Sequence, residues 1–256
     1  YRSIFSIAST LLAILVFSKM DITDYSLQDF KNGTILDWLF TILLCFFSFF
    51  GLYYYTNALK IGRYGFVTPF VSTASIFSFL TALLFFNEEV SIYNLSAFGL
   101  LTFGILYHQK DQLKGFKLNK EILLSILCAF FWGVSFVLYL IPIQKFGVLN
   151  FSLILEVCVF FSAMGILIFK EKKLVPRLLS KRSMKLSVII GLLVTGGNIT
   201  AHYALDNMPI IINIVVALIF EAIMLVVGIK IFKEKFLSKD WVLIIIITLA
   251  TIFVLF

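Results

Sequence analysis

Charge is what this sequence has least of. Asp, Glu, Lys and Arg make up 14% of its 256 residues, while 61% are hydrophobic and the mean hydropathy is +1.04. A soluble domain runs near about 25% charged and 45–50% apolar. So little polar surface cannot coat a water-exposed globule of this length. That excludes a soluble enzyme, a nucleic-acid binder and a disordered chain. Histidine is scarce as well, with His108 and His202 the only two. The three cysteines, Cys45, Cys128 and Cys158, lie inside apolar runs without metal-ligand spacing and read as small core hydrophobes. Neither a cofactor nor a metal site is expected. The net charge of +7 suits loops beside an anionic leaflet. What remains is an all-α, multi-pass membrane protein whose first partner is the lipid bilayer.

Hydropathy divides the chain into nine apolar spans: Ile4–Ser18, Trp38–Leu59, Gly65–Phe86, Val90–Tyr107, Ile122–Ile141, Asn150–Phe169, Leu186–Ala204, Pro209–Phe232 and Trp241–Phe256. The runs are continuous rather than alternating, so a barrel is not expected. Pro142 is expected to end the fifth span and Pro209 to open the eighth. Residue 1 is Tyr rather than Met. The first run reaches roughly 22 Å as helix, short of the roughly 30 Å hydrocarbon core, and it has no signal-peptide cleavage site. The expectation is a chain that starts inside a helix, with residues missing upstream.

The connecting segments sort sharply by charge. Those after the second, fourth, sixth and eighth spans, counted with Lys230 at the end of the eighth, carry 17 cations, among them Lys110, Lys114, Lys172, Arg177 and Lys185. The others carry only Lys19, Lys31 and Lys145, together with seven acids that include Asp37, Glu88, Glu89 and Asp206. The positive-inside rule puts the cation-rich face in the cytoplasm.

An internal repeat follows. Tyr54-Tyr55-Thr56-Asn57-Ala58-Leu59 ends the second span and Thr200-Ala201-His202-Tyr203-Ala204-Leu205 ends the seventh. Each precedes a short turn, a long apolar run and an acid, Glu88 in one case and Glu234 in the other. The offset of 146 holds from Ala58 and Ala204 through to those acids. Equivalent positions lie five spans apart, and an odd number reverses direction, so the two halves are expected to be antiparallel.

Ala58-Leu59-Lys60-Ile61-Gly62, Val67-Thr68-Pro69 and Asn87-Glu88-Glu89-Val90-Ser91 resemble the end of an EamA-like repeat. So do Ala204-Leu205-Asp206-Asn207-Met208-Pro209 and Lys233-Glu234-Lys235, while Phe131-Trp132-Gly133-Val134-Ser135-Phe136 is similar to the Trp-Gly motif that opens such a repeat. The resemblance is to the EamA-like family of the drug/metabolite transporter superfamily and covers nearly the whole chain. It implies a polytopic helix bundle of two five-helix inverted repeats, here 1–108, lacking its first helix, and 121–256. It also implies a multi-pass protein of a bacterial-type plasma membrane that carries small organic metabolites such as amino acids. A nucleotide-sugar or other metabolite exchanger stays open. No upstream partner to Trp132-Gly133 exists, which agrees with a first helix missing. Family members usually keep both termini in the cytosol, whereas the charge count puts Phe256 outside.

Ionisable groups inside spans are costly and mark function by default. Glu156, in the sixth span, and Glu221, in the eighth, are the two carboxylates so placed. Each is either a hydrogen bond between helices or a site for a substrate cation or proton. Burial disfavours the charged form of a carboxylate that lacks a partner or water, the property a proton-coupled carrier uses. Asn198 and His202 are four apart on one helix face, preceded by Gly196 and Gly197, which would permit close packing. They are a packing pair or line a cavity. Trp132, Ser135 and Tyr139 make one stripe, core or substrate-facing, and Tyr54 and Asn57 are repeat counterparts of Thr200 and Tyr203. Arg2 either lies in the membrane, paired with an anionic substrate or a buried carboxylate, or is a terminal charge that snorkels. A central cavity lined by Trp132, Tyr139, Glu156, Asn198, His202 and Glu221 is the expected site.

The rival class is an intramembrane enzyme, which needs His-Glu-x-x-His, Gly-x-Ser-x-Gly or paired aspartates in a span. None occurs. A nucleotide-driven pump would need a Gly-x-x-x-x-Gly-Lys loop, which is also missing.

Overall fold

Long apolar stretches leave the backbone one economical solution in hydrocarbon, which is to bond to itself as helix. The computed structural model describes residues 2–19, 30–31, 33–62, 67, 70–108, 120–170, 181–231 and 238–254. Every regular element among them is helical. In chain order these are α1 (Arg2–Lys19), α2 (Ile35–Ile61), α3 (Ala74–Phe86), α4 (Ile92–His108), α5 (Lys120–Leu138), α6 (Leu140–Phe146), α7 (Val148–Lys170), α8 (Lys181–Asn207), α9 (Ile210–Ile231) and α10 (Ser238–Val254). Among the described residues, four helical stretches are long and apolar enough to cross a membrane: Ile35–Ile61, Lys120–Phe146, Val148–Phe169 and Met184–Asn207. Thr68, Pro69, the 109–119 and 171–180 connections and the Lys233-Glu234-Lys235 motif lie outside the described residues.

Local chemistry sets the helix ends. Thr34 and Asp37 form a reciprocal box at the start of α2: the Thr34 N–H donates to Asp37 Oδ2 at 2.8 Å, and the Asp37 N–H to Thr34 Oγ1 at 3.3 Å. Ser91 Oγ accepts the Asn94 N–H at the start of α4. Asn87 ends α3 in the left-handed region, φ 47°, which Asn tolerates better than most residues. Pro209 stands immediately before α9, as expected, and Glu88 Oε1 accepts the Ile210 N–H there.

Pro142 corrects the expectation. It does not end the fifth span but lies inside α6. Its ring and missing N–H act on the carbonyl four residues back, Leu138, and the helix breaks there, at the Tyr139 turn, and then resumes. Gly147, at φ 79° and ψ 158°, closes α6 with its N–H on Ile143 O, and α7 begins on the next residue. Only glycine adopts that backbone without strain.

The chain divides into two compact units, and both α2 and the α5–α6 stretch pass from one to the other. The first comprises Tyr1–Phe49 and Leu138–Asn207. Here α1 packs on α7 and α8, and α6 on the same two helices. The second comprises Phe50–Val137 and Met208–Phe256. Its core joins α4, α9 and α10 through Ala97, Leu101, Val215, Ala222, Leu243 and Ala250. Small residues let those helices approach closely: a Cβ added at Gly104 would sit 2.9 Å from Ile246. Large apolar side chains such as Leu12 and Leu193 in the first unit, and Leu84 and Phe85 in the second, are exposed.

Candidate functional site

Close approach of α1 and α8 builds the principal site. A Cβ at Gly191 would lie 2.8 Å from Phe5 Cβ and 3.0 Å from Arg2 O. Gly191 therefore lets the two backbones meet. Gly196 and Gly197, expected to do this, have nothing within 4 Å of a Cβ; the close crossing lies more than one turn earlier on α8. Beside Gly191, Thr195 Oγ1 meets Ser6 Oγ at 2.9 Å and Ser9 Oγ at 2.6 Å. The resulting hydroxyl seam ties α1 to α8 and brings Arg2 level with the middle of α7.

Glu156 sits on α7 at 1% exposure. Arg2 Nη2 donates to its Oε1 at 2.8 Å, and Asn198 Nδ2 to the same oxygen at 3.0 Å. A carboxylate only accepts, so the Asn198 amide must present its nitrogen. Ser6 also interacts with the carboxylate. The pairing is one-point rather than a fork: Arg2 Nε and Glu156 Oε2 are both buried without a hydrogen-bond partner. Burying a charge in hydrocarbon is costly unless it is paired. Here the pair is made but half its polar valence is left over.

One turn along α7 and α8 lies a second rung. Ser152 Oγ stands 2.7 Å from His202 Nδ1 and donates to Val148 O at 2.8 Å. A hydroxyl has one proton, so with that proton on Val148 the imidazole donates from Nδ1. The buried His202 ring lies between aromatic neighbours, with Tyr139 at 5.6 Å and Phe151 at 4.9 Å between centroids. The Tyr139 hydroxyl donates to Ser48 Oγ.

Five of the expected residues, Arg2, Tyr139, Glu156, Asn198 and His202, thus belong to the first unit and to one polar seam. Four belong to the second unit. Trp132 packs on Tyr55, ring centroids 5.4 Å apart, and fills the space left by Gly51. Tyr54 stacks on Phe131 at 5.6 Å. Asn57 Nδ2 donates to Tyr53 O on its own helix at 2.8 Å. Glu221 hydrogen-bonds with Ser72. The Trp132–Ser135–Tyr139 stripe is divided, since Tyr139 falls at the helix break and in the other unit. Ser6, Ser9, Ser152 and Thr195 were not anticipated. The available signal was their spacing, with Ser152 four before Glu156 and Thr195 three before Asn198.

Comparison with known proteins agrees with this architecture. A solved crystal structure of a protein given no more specific description matches with a TM-score of 0.71 and 12% identity, over 98% of this chain and 85% of that one. At that identity the likeness is one of fold. No curated protein matches the chain. The sequence profile of the EamA-like transporter family matches residues 1–107 and 119–256. This family consists of helical membrane bundles that act as transporters rather than enzymes. The chain belongs to the EamA-like transporter family and is an integral, multi-pass membrane transporter of the drug/metabolite type.

Proposed function

We propose that the protein is a secondary transporter of small organic metabolites, amino acids or related solutes, working by alternating access in a bacterial-type plasma membrane. The observation that carries this reading is the incomplete ion pair of Arg2 and Glu156. A zwitterionic substrate has an ammonium for Glu156 Oε2 and a carboxylate for the Arg2 guanidinium, the two groups whose valence is left over. Asn198 holds the carboxylate in place, and Tyr139 and His202 supply ring edges nearby. Glu156 must be neutralised in every state, and Arg2, a substrate ammonium and a proton are the three cations able to do so. Exchange among them couples substrate movement to protons.

Counterflow in proteoliposomes tests the reading, with a radiolabelled panel of neutral amino acids and related solutes. Glu156→Gln keeps the side-chain shape and removes the charge. It is expected to reduce counterflow at least tenfold, or to abolish its pH dependence, with insertion unchanged. Normal, pH-dependent transport by both Glu156→Gln and Arg2→Ala would place the substrate elsewhere.

A further inference from the structure

The second unit holds a buried polar cluster that the substrate reading does not use. Helical backbone at Phe70 and Val71 gives way to a turn at Ser72 and Thr73 before α3 begins at Ala74. Bonds across this break run from residue i to i+3: the Thr73 N–H donates to Phe70 O and the Ser75 N–H to Ser72 O, both at 3.3 Å. Irregular backbone at membrane depth is tolerated where it lines a polar cavity. A small crevice lies there, walled by Ser72, Thr73, Ser75, Thr102 and Leu218 among others. Glu221 stands one turn beyond Leu218 on α9 and hydrogen-bonds with Ser72. Glu221 Oε2 and Thr102 Oγ1 are buried and have no hydrogen-bond partner.

Proton positions decide what this cluster can hold. Thr73 Oγ1 gives its proton to Phe70 O at 2.6 Å, and Ser75 Oγ gives its own to Ser72 O at 2.8 Å. Both hydroxyls therefore have only lone pairs left to offer. With Glu221 Oε2 and Thr102 Oγ1 they form an all-oxygen donor set carrying a single negative charge. Oxygen donors select hard cations over the metals that prefer imidazole or thiolate. One carboxylate is neutralised by a monovalent cation, whereas a divalent one would leave net charge in hydrocarbon. The crevice has room for about one water-sized body, which favours the smaller alkali ions. We propose that Glu221, Thr73, Ser75 and Thr102 bind a sodium ion at the broken start of α3. This site stands independently of the substrate reading, because its test reads binding rather than transport.

The experiment is thermal unfolding of the purified full chain in nanodiscs, at constant ionic strength, with choline replaced stepwise by sodium. A saturable rise of about 5–10 °C is expected at a hundredfold excess over Kd. Glu221→Gln and Thr102→Val are expected to lose the rise, and Thr102→Ser to keep it. Should Glu221→Gln fail to fold, the contrast between the two Thr102 variants decides. A wild type that sodium leaves unmoved overturns the proposal, and so does a rise that persists in Thr102→Val. Equal shifts with potassium overturn the choice of sodium. Stabilisation by acid in choline, without a sodium response, assigns the cluster to a proton instead.

Discussion

Arg2→Ala leaves the Glu156 carboxylate, 1% exposed, with Asn198 and Ser6 but no cation beside it. Removing one partner of a buried ion pair costs about 3–5 kcal/mol. The Arg2 side chain is 27% exposed, so solvent or headgroups screen part of the interaction, and about 2–3 kcal/mol is the better figure. At roughly 2–4 °C per kcal/mol for a chain of this class, Tm falls by about 5–10 °C. Glu156→Gln alone costs less, about 1–2 kcal/mol, because a neutral amide oxygen still accepts from Asn198. The informative variant combines the two. With Arg2 gone, the Gln replacement removes a stranded charge, so the double variant should melt at or above Arg2→Ala, a coupling of at least about 1–2 kcal/mol. Thermal unfolding in nanodiscs, followed by intrinsic fluorescence at fixed pH and salt, measures all four corners. Losses that add to within about 0.5 kcal/mol would refute a stabilising pair, and the substrate reading would lose its anchor.

Three further outcomes are expected. Gly191→Val drives a side chain into Phe5 and the Arg2 carbonyl and should cost about 1–3 kcal/mol by overpacking; Gly196→Ala and Gly197→Ala, with open space at both, should be neutral or gain up to about 1 kcal/mol of helix propensity. Paired melting curves check this, and equal losses at all three glycines would contradict the close crossing of α1 and α8. Tyr139→Phe keeps the rings against Phe151 and His202 but loses the hydroxyl on Ser48, for about 1 kcal/mol in the same assay. From the distribution of cations, an impermeant thiol reagent on intact cells should fail to label Ser180→Cys unless the membrane is opened; strong labelling from outside reverses the orientation.

Much of the fold was legible because hydropathy and helix formation answer to one constraint, the absence of water for the backbone. The sixth span, read as Asn150–Phe169, is the helix Val148–Lys170. Where the two differ, polar helix ends are the reason. Thr34 and Asp37 look like loop to a hydropathy scale, yet they are the box that starts α2. Lys181 and its neighbours are too charged to count as span, yet α8 begins among them. The break at Ser72 and Thr73 was invisible for a different cause. Ser and Thr satisfy their own backbone in a helix as readily as in a tight turn, so an apolar run containing them carries no mark of which it will be.

The site was legible only where burial is expensive. Glu156 and Glu221 stood out because a carboxylate in a span costs roughly 2.5–3.5 kcal/mol on insertion scales, and that cost predicts a partner without naming it. Glu156 found Arg2, one of the alternatives the sequence left open, because Gly191 lets α1 settle on α8. Hydroxyls are cheap by comparison, so Ser6, Ser152 and Thr195 gave no signal of their own, although they build the seam that positions the charged pair. A subtler signal was present in the second unit. The 146-residue offset expected from the sequence would map Glu221 onto Ser75. The same register therefore puts a carboxylate on α9 and a hydroxyl on α3, and both residues belong to the cluster around the Ser72 turn. If the halves descend from one ancestral unit, a single lining position has taken two chemistries, charge on one side and a neutral ligand on the other. That division suits an ion bound once per molecule rather than once per repeat.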